Sequence, residues 1–194
     1  MPTDSDLTVL DTPCLLIEQH VLADNIARMQ ALADQYGVDL RPHIKTHKMP
    51  VLAQTQIEAG ACGIAVATLD EAETMAAVGI DDIQIARQVI GERNIARLVS
   101  LRRRARITCA VDNAENARAL SAALARHGLT VGLLIEIDTG LRRCGLTDAD
   151  DVLTLAQTIR DLPSVQFRGL MTHAGHAYGA SSDHELAGIG RAEG

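Results

Sequence analysis

Short apolar runs alternate with amphipathic stretches along most of this chain of 194 residues, after a loose polar lead-in at residues 1–10. The apolar runs predict strands, at residues 14–17, 40–46, 64–67, 83–86, 107–111, 131–137 and 165–171. Between them, apolar residues recur at intervals of three and four, which is typical of helices with one buried face. These predicted helices lie at residues 21–36, 51–59, 70–78, 95–101, 113–124, 152–159 and 185–193. Several of them are followed by a glycine, as is common at helix ends.

The predicted strands are mostly apolar throughout, which is expected when helices cover both faces of a parallel sheet. Strands and helices alternate at the spacing of an α/β domain, and both an open doubly wound sheet and a (β/α)8 barrel fit. No Gly-x-Gly-x-x-Gly or Walker-type loop follows a strand, which disfavours a dinucleotide or nucleoside triphosphate site. About six strands follow the first strand–helix pair, whereas a closed barrel needs eight. If the fold is a barrel, we expect it to be incomplete.

The composition is that of a globular protein, with 47% hydrophobic and 22% charged residues. Aromatic residues make up only 2%, so the core must be built from alanine, valine, leucine and isoleucine. The net charge of −7 argues against a nucleic-acid partner. A solvated helix C-terminus explains the one basic run, at residues 102–106.

The four cysteines are widely spaced and form no Cys-x-x-Cys pair, so they predict no structural zinc site. No signal peptide is visible, and no apolar run approaches the roughly 20 residues that span a bilayer. We therefore expect reduced thiols and a cytoplasmic protein without a membrane partner.

Both lysines of the chain lie in residues 41–48, and all the other basic residues are arginines. Lysine, unlike arginine, can lose its proton and attack a carbonyl to form a Schiff base. On a strand, the two-residue period would place His43, Lys45 and His47 on one face. A metal bound by the two histidines would be repelled by the amine between them, so we expect the histidines to influence its protonation. Buried structural histidines are the alternative.

Two further polar segments follow later strands, where a parallel barrel places its catalytic groups. Residues 136–145 contain two acids and an arginine pair bracketed by glycines. Either a structural ion pair or an arginine held to meet an anionic ligand oxygen would explain them. Residues 169–178 contain His173, His176 and Tyr178 among small residues, which leave room for a flat ligand.

Several motifs resemble those of one family. Residues 42–48, Pro-His-Ile-Lys-Thr-His-Lys, are similar to the lysine motif of the D-serine dehydratase and D-threonine aldolase family. These are fold-type III pyridoxal phosphate enzymes, related to the alanine racemase N-terminal domain. Residues 138–145 resemble the family's Asp-x-Gly-x-x-Arg-Cys-Gly segment, and residues 169–178 resemble its histidine-containing strand. The opening Asp-Thr-Pro at residues 11–13 also matches, so the resemblance covers nearly the whole chain.

The resemblance implies roles for individual residues. Lys45 would form the Schiff base with pyridoxal 5'-phosphate and act as the catalytic residue. Arg143 would meet the phenolic oxygen of the cofactor or the substrate carboxylate, and His173 would pack on the pyridine ring. The remaining implied cofactor neighbours are His43, His47 and Tyr178.

The resemblance further implies that residues 1–194 are a partial pyridoxal phosphate-binding barrel domain of the (β/α)8 TIM type. The phosphate-binding segment and the C-terminal β domain with its metal ligands are expected only in full-length relatives. Those relatives would use a divalent metal, zinc or manganese, and form homodimers. The implied activity is that of a lyase on D-3-hydroxy amino acids, of the D-serine dehydratase or D-threonine aldolase type, impaired in this chain. An amino-acid racemase and a non-catalytic cofactor-binding remnant are the alternatives.

Overall fold

The computed structural model describes residues 9–194, so most of the predicted polar lead-in lies outside the described residues. The chain divides into two compact units, Met1–Leu40 and Arg41–Gly194. In the first unit, helix α1 (Gln19–Tyr36) confirms the predicted amphipathic helix. It ends at Gly37, whose left-handed backbone (φ 64°) suits glycine, and the next amide, that of Val38, donates to the Ala33 carbonyl at 3.1 Å.

The second unit alternates strands with helices, as the sequence predicts. Its strands are β1 (Ile64–Val66), β2 (Asp82–Gln88), β3 (Arg106–Val111), β4 (Val131–Ile137) and β5 (Val165–Thr172). Its α-helices are α2 (Pro50–Glu58), α3 (Leu69–Ala77), α4 (Glu92–Arg102), α5 (Ala114–Ala125), α6 (Ala149–Asp161) and α7 (Asp183–Glu193). Two short 3-10 helices cover Ile44–Thr46 and Gly175–Gly179.

All neighbouring strands of the sheet run parallel, in the order β1-β2-β3-β4-β5. This order is the one that successive strands take in a (β/α)8 barrel. Successive residues of β2 alternate between the core and a cavity. Ile83 and Ile85 are fully buried in the core, whereas Gln84 and Ala86 line the cavity. One face of the sheet therefore carries the core, and the other carries the candidate site.

Strand β5 lies at the edge of this sheet within the described part of the chain. Its Phe167 and Leu170 are 43% and 51% exposed, although the residues of the inner strands β3 and β4 are largely buried. A closed (β/α)8 barrel has eight strands, whereas the five strands of the described residues form an open parallel sheet.

The strands predicted at residues 14–17 and 40–46 are wrong. Residues 14–17 have no regular secondary structure, because an apolar run forms a strand only where a neighbouring strand shares its backbone hydrogen bonds. In the second segment, His43 makes one isolated parallel bridge with Ala65, and the chain then turns into a 3-10 helix.

Side-chain caps fix the starts of several helices. Asn113, predicted as an N-cap, accepts a hydrogen bond from the Asn116 amide at 2.8 Å. Thr68 caps α3 in the same way, accepting from the Glu71 amide at 3.2 Å. Among residues 9–194, no helix is both long and apolar enough to cross a membrane.

Replacing Leu120 with alanine should lower the free energy of unfolding by about 2–5 kcal/mol, because this fully buried side chain of α5 would leave a cavity in the core. Urea denaturation measures the change. Leu153→Ala is the matched control, since Leu153 on α6 is 60% exposed and should cost less than about 1 kcal/mol. Equal losses for the two variants would contradict the assignment of the core.

Candidate active site

A cavity of about 540 Å³ opens at the carboxyl ends of the strands. Loops that follow parallel strands converge at this edge, so side chains distant in sequence meet there. Four residues singled out from the sequence line it together, namely His43, Lys45, Arg143 and His173. His47 and Tyr178 do not line this cavity.

The lysine segment is a turn instead of a strand. His43 Nδ1 accepts a hydrogen bond from the Lys45 amide at 3.3 Å, which starts the 3-10 helix Ile44–Thr46. The prediction that a strand places His43, Lys45 and His47 on one face is therefore wrong. The turn nevertheless brings His43 and Lys45 to the cavity, while His47 Nδ1 accepts a hydrogen bond from the backbone amide of Met49 at 3.0 Å.

The two lysines have different surroundings. Lys48 Nζ donates to the carboxylate of Glu71 at 2.7 Å. Lys45 Nζ, in contrast, forms no ion pair or hydrogen bond with any residue between 9 and 194, and Lys45 lines the cavity. Burial would raise the pKa of Glu71, but the hydrogen bonds from Lys48 and the Ala67 amide hold it below its ordinary value. Of the two amines, only that of Lys48 therefore has a charged partner among residues 9–194.

The same surroundings change the pKa of the His43 imidazole. Partial burial and the charge of Lys45 lower the pKa of His43 below its ordinary value, and His173 adds to this effect while Glu71 opposes it. His43 is therefore neutral at neutral pH. Because Nδ1 accepts the hydrogen bond from the Lys45 amide, the ring proton is assigned to Nε2.

The arginine segment folds back onto the end of β4. The Leu146 amide donates to the Glu136 carbonyl at 2.9 Å, and the Asp138 amide donates to the Leu146 carbonyl at 3.0 Å. Gly145 has a positive φ of 105°, and a Cβ there would lie 2.7 Å from the Asp138 nitrogen. Only glycine fits at this position, which explains the last residue of the Asp-x-Gly-x-x-Arg-Cys-Gly pattern.

The first residue of the same pattern shapes the turn. The carboxylate of Asp138 accepts hydrogen bonds from the backbone amides of Arg142 at 3.0 Å and Gly140 at 2.8 Å. These amides hold the pKa of Asp138 below its ordinary value. The acid is thus a structural residue of the loop that presents Arg143.

Glu136 lies under this loop and is only 2% exposed. Its carboxylate accepts hydrogen bonds from Gln88 Nε2 at 2.7 Å and from Cys144 Sγ at 3.1 Å, and it lies 3.8 Å from Arg143 Nη2. Gln88 Nε2 also contacts Asp112 at 3.3 Å. Glu136 and Arg143 therefore form a structural ion pair, and Arg143 also lines the cavity.

The histidine segment is held by α7. Glu193 accepts hydrogen bonds from the Thr172 hydroxyl and from the Ala174 amide, the latter at 3.1 Å, so its contacts bracket His173. Tyr178 packs edge-on against His173, with ring centroids 6.4 Å apart, but it is 87% exposed.

Three residues that support the site, Glu71, Gln88 and Glu193, were not identified from the sequence patterns. The spacing Thr68-x-x-Glu71 is that of a capping box and marks Glu71 as a helix-start acid. Gln88 lies at the end of β2, where barrel anatomy places functional side chains. Glu193 carries no such signal, because its contact with Ala174 spans 19 residues. Over residues 9–194, no group of three or more histidine, cysteine, aspartate or glutamate residues is placed to hold a metal ion.

Similarity to known proteins extends over nearly the whole chain. The profile of the family described as alanine racemase, N-terminal domain, matches residues 17–191. The D-threonine aldolase of Arthrobacter sp. is 40% identical over 95% of this chain, and the D-threo-3-hydroxyaspartate dehydratase of Delftia sp. (strain HT23) is 37% identical over 96%. The crystal structure of D-threonine aldolase from Filomicrobium marinum matches 94% of this chain with a TM-score of 0.92 and 31% identity.

The chain spans about half the length of each of these relatives. It covers 49% of the Arthrobacter protein, 50% of the Delftia protein and 50% of the Filomicrobium chain.

Replacing Lys45 with methionine should raise the pKa of His43 towards its ordinary value, because the variant removes a neighbouring positive charge. NMR titration of the imidazole carbon-bound protons measures it. The folded state disfavours protonated His43, because the pKa of His43 is lowered there. The contribution of neutral His43 to the free energy of unfolding is therefore complete above the ordinary histidine pKa. It is lost as the pH falls through the lowered pKa of the folded state. The variant should reduce that loss.

Arg118→Met is the control for this titration, because it removes an exposed cation of α5 that is not among the charges acting on His43. It should leave the titration unchanged. A pKa of His43 that stays the same or falls in Lys45→Met would contradict the proximity of the two groups.

Proposed function

Because the chain belongs to the alanine racemase N-terminal domain family, we propose that residues 1–194 are part of a pyridoxal phosphate-binding barrel domain. The whole protein would be a lyase that acts on D-3-hydroxy amino acids. The observation that carries the proposal is the free amine of Lys45 in a cavity that also presents Arg143 and His173. Relatives named as a D-threonine aldolase and a D-threo-3-hydroxyaspartate dehydratase support the lyase class.

The side chains of the cavity fit the cofactor. The aldehyde of pyridoxal phosphate requires an amine, its phenolic oxygen requires a cation, and its flat ring requires a planar neighbour. Lys45, Arg143 and His173 provide these three groups in one space of about 540 Å³. When bound, pyridoxal phosphate supplies an electron sink for bonds at the substrate's α-carbon. We assign cofactor contacts also to His43, and we keep His47 and Tyr178 as weaker candidates because neither lines the cavity.

The residues of the chain would divide the work as follows. Lys45 Nζ would hold the cofactor covalently, and in the dehydratase reaction the same amine would take the α-proton. Arg143, supported by Glu136 at 3.8 Å, fixes an anionic oxygen of the cofactor or of the substrate. Neutral His43 offers the proton on Nε2 as a hydrogen-bond donor beside the amine.

The two lyase reactions differ in the bond that breaks. A dehydratase removes the α-proton and expels the β-hydroxyl, whereas an aldolase deprotonates that hydroxyl and breaks the Cα–Cβ bond. In both, a divalent metal, zinc or manganese, would polarise the β-oxygen. The metal, the homodimer and the cytoplasmic location stay predictions. A racemase would need a second base in addition to Lys45.

Incubation with pyridoxal phosphate followed by borohydride reduction should label Lys45. Peptide mapping by mass spectrometry locates the label. Lys45→Arg should lose it, because a guanidinium forms no stable bond with the aldehyde, whereas the control Lys48→Arg should retain it. Wild-type protein without label at Lys45 would refute the cofactor assignment.

Assays with D-serine and D-threonine in the presence of added Zn²⁺ or Mn²⁺ test the lyase class. We expect little or no keto acid or aldehyde from this chain, since no metal cluster lies among its described residues, and clear product from a chain extended to the length of its relatives. An extended chain that racemises these substrates without elimination or cleavage would show that the lyase proposal is wrong.

A further inference from the structure

Two lysines lie three positions apart at this site, and only one of them can serve the cofactor. Lys45 lines the cavity, whereas Lys48 does not. The side chain of Lys48 is nevertheless 61% exposed, so solvent and small molecules can reach it. The two amines must therefore differ in how readily they react with the cofactor.

The amine of Lys48 lies near the rim of the same cavity. It is 2.7 Å from Glu71 Oε1, and the other oxygen of that carboxylate, Oε2, accepts the Ala67 amide at 2.7 Å. Ala67 itself lines the cavity. Lys48 is therefore close enough to compete for an aldehyde if its amine is released.

Glu71 is well placed to hold that amine. Its side chain is only 6% exposed, and it is fixed at the start of α3 by its backbone bond to Thr68 and its side-chain bond to Ala67. A carboxylate with so little freedom orders its partner at a lower entropic cost than an exposed one does.

The backbone of Lys48 contributes to the same arrangement. Its φ is 52°, an uncommon value for a residue other than glycine, and its amide donates to the Ile44 carbonyl at 2.8 Å. This hydrogen bond closes the turn that contains Lys45. The contact between Lys48 and Glu71 thus ties that turn to α3.

We propose that Glu71 is a positioning residue that makes the site selective for Lys45, by retaining the amine of Lys48 at α3 and by fixing the turn that presents Lys45 to the cavity. This inference rests on the proposed function, because it assigns the amine that receives the cofactor.

The chemical step depends on which amine is free. A neutral amine nitrogen adds to the aldehyde carbon, its two protons and the aldehyde oxygen leave as one water molecule, and a carbon–nitrogen double bond remains. Borohydride then delivers hydride to that carbon, and water supplies the proton to nitrogen, which makes the attachment permanent. An ammonium that donates to a carboxylate has no lone pair available for the first step.

Glu71→Gln removes the charge and retains the shape of the side chain. Glutamine is accepted at this position of a capping box, so the start of α3 should be preserved. Glu73→Gln is the matched control, because Glu73 lies on the same helix and pairs with Arg97 instead of a lysine. Circular dichroism establishes that both variants fold.

Each protein is treated with substoichiometric pyridoxal phosphate, reduced with borohydride and digested. Fragment-ion spectra then give the fraction of the label on Lys45 and on Lys48. Glu71→Gln should raise the share on Lys48 at least about threefold, and Glu73→Gln should leave it unchanged. An unchanged share in Glu71→Gln would overturn the inference.

Ionic strength gives a second test that needs no variant. Salt at about 1 M weakens an ion pair whose lysine side chain is 61% exposed, so it should raise the share on Lys48 in the wild type but not in Glu71→Gln. The same salt response in both proteins would contradict a role for the Glu71 charge.

The two proposals fail in distinguishable ways. Absence of label from Lys45 in the wild type refutes the proposed function. Label on Lys45 in the wild type with the same distribution in Glu71→Gln refutes only the role of Glu71.

Discussion

Glu71, Glu136 and Glu193 each accept hydrogen bonds from one of the three segments that carry the candidate amine, guanidinium and imidazole. The strands fix where these segments begin, since each follows or precedes a parallel pairing at the edge of the sheet. Beyond that point, isolated backbone hydrogen bonds and side-chain contacts hold them. The carboxylates therefore help to hold the segments that carry Lys45, Arg143 and His173.

The burial of Glu136 shows why such contacts must be complete. A carboxylate that is 2% exposed has lost its hydration, which is costly unless hydrogen bonds replace it. Gln88 and Cys144 provide those bonds, and Arg143 adds a positive charge at 3.8 Å. Burial raises the pKa of the Cys144 thiol, which keeps it protonated and able to donate. The contacts that stabilise the loop at residues 138–145 therefore also hold Arg143 in position.

The sequence predicts the parts of this architecture that depend on local periodicity. Buried strands such as β4 and the cap at Asn113 are visible in it, because burial and capping leave patterns within a few residues. The run at residues 14–17 misleads, since an apolar segment does not reveal whether a neighbouring strand exists. Lys45 stands out by its rarity, but its turn and the contact of Glu193 with Ala174 depend on tertiary structure.

A crystal structure of the protein reduced with borohydride in the presence of pyridoxal phosphate tests the central claim most directly. We expect continuous density from Lys45 Nζ into the cavity, with the cofactor between Arg143 and His173. Cofactor density attached to Lys48, or ordered at a site away from this cavity while Lys45 stays unmodified, would contradict it.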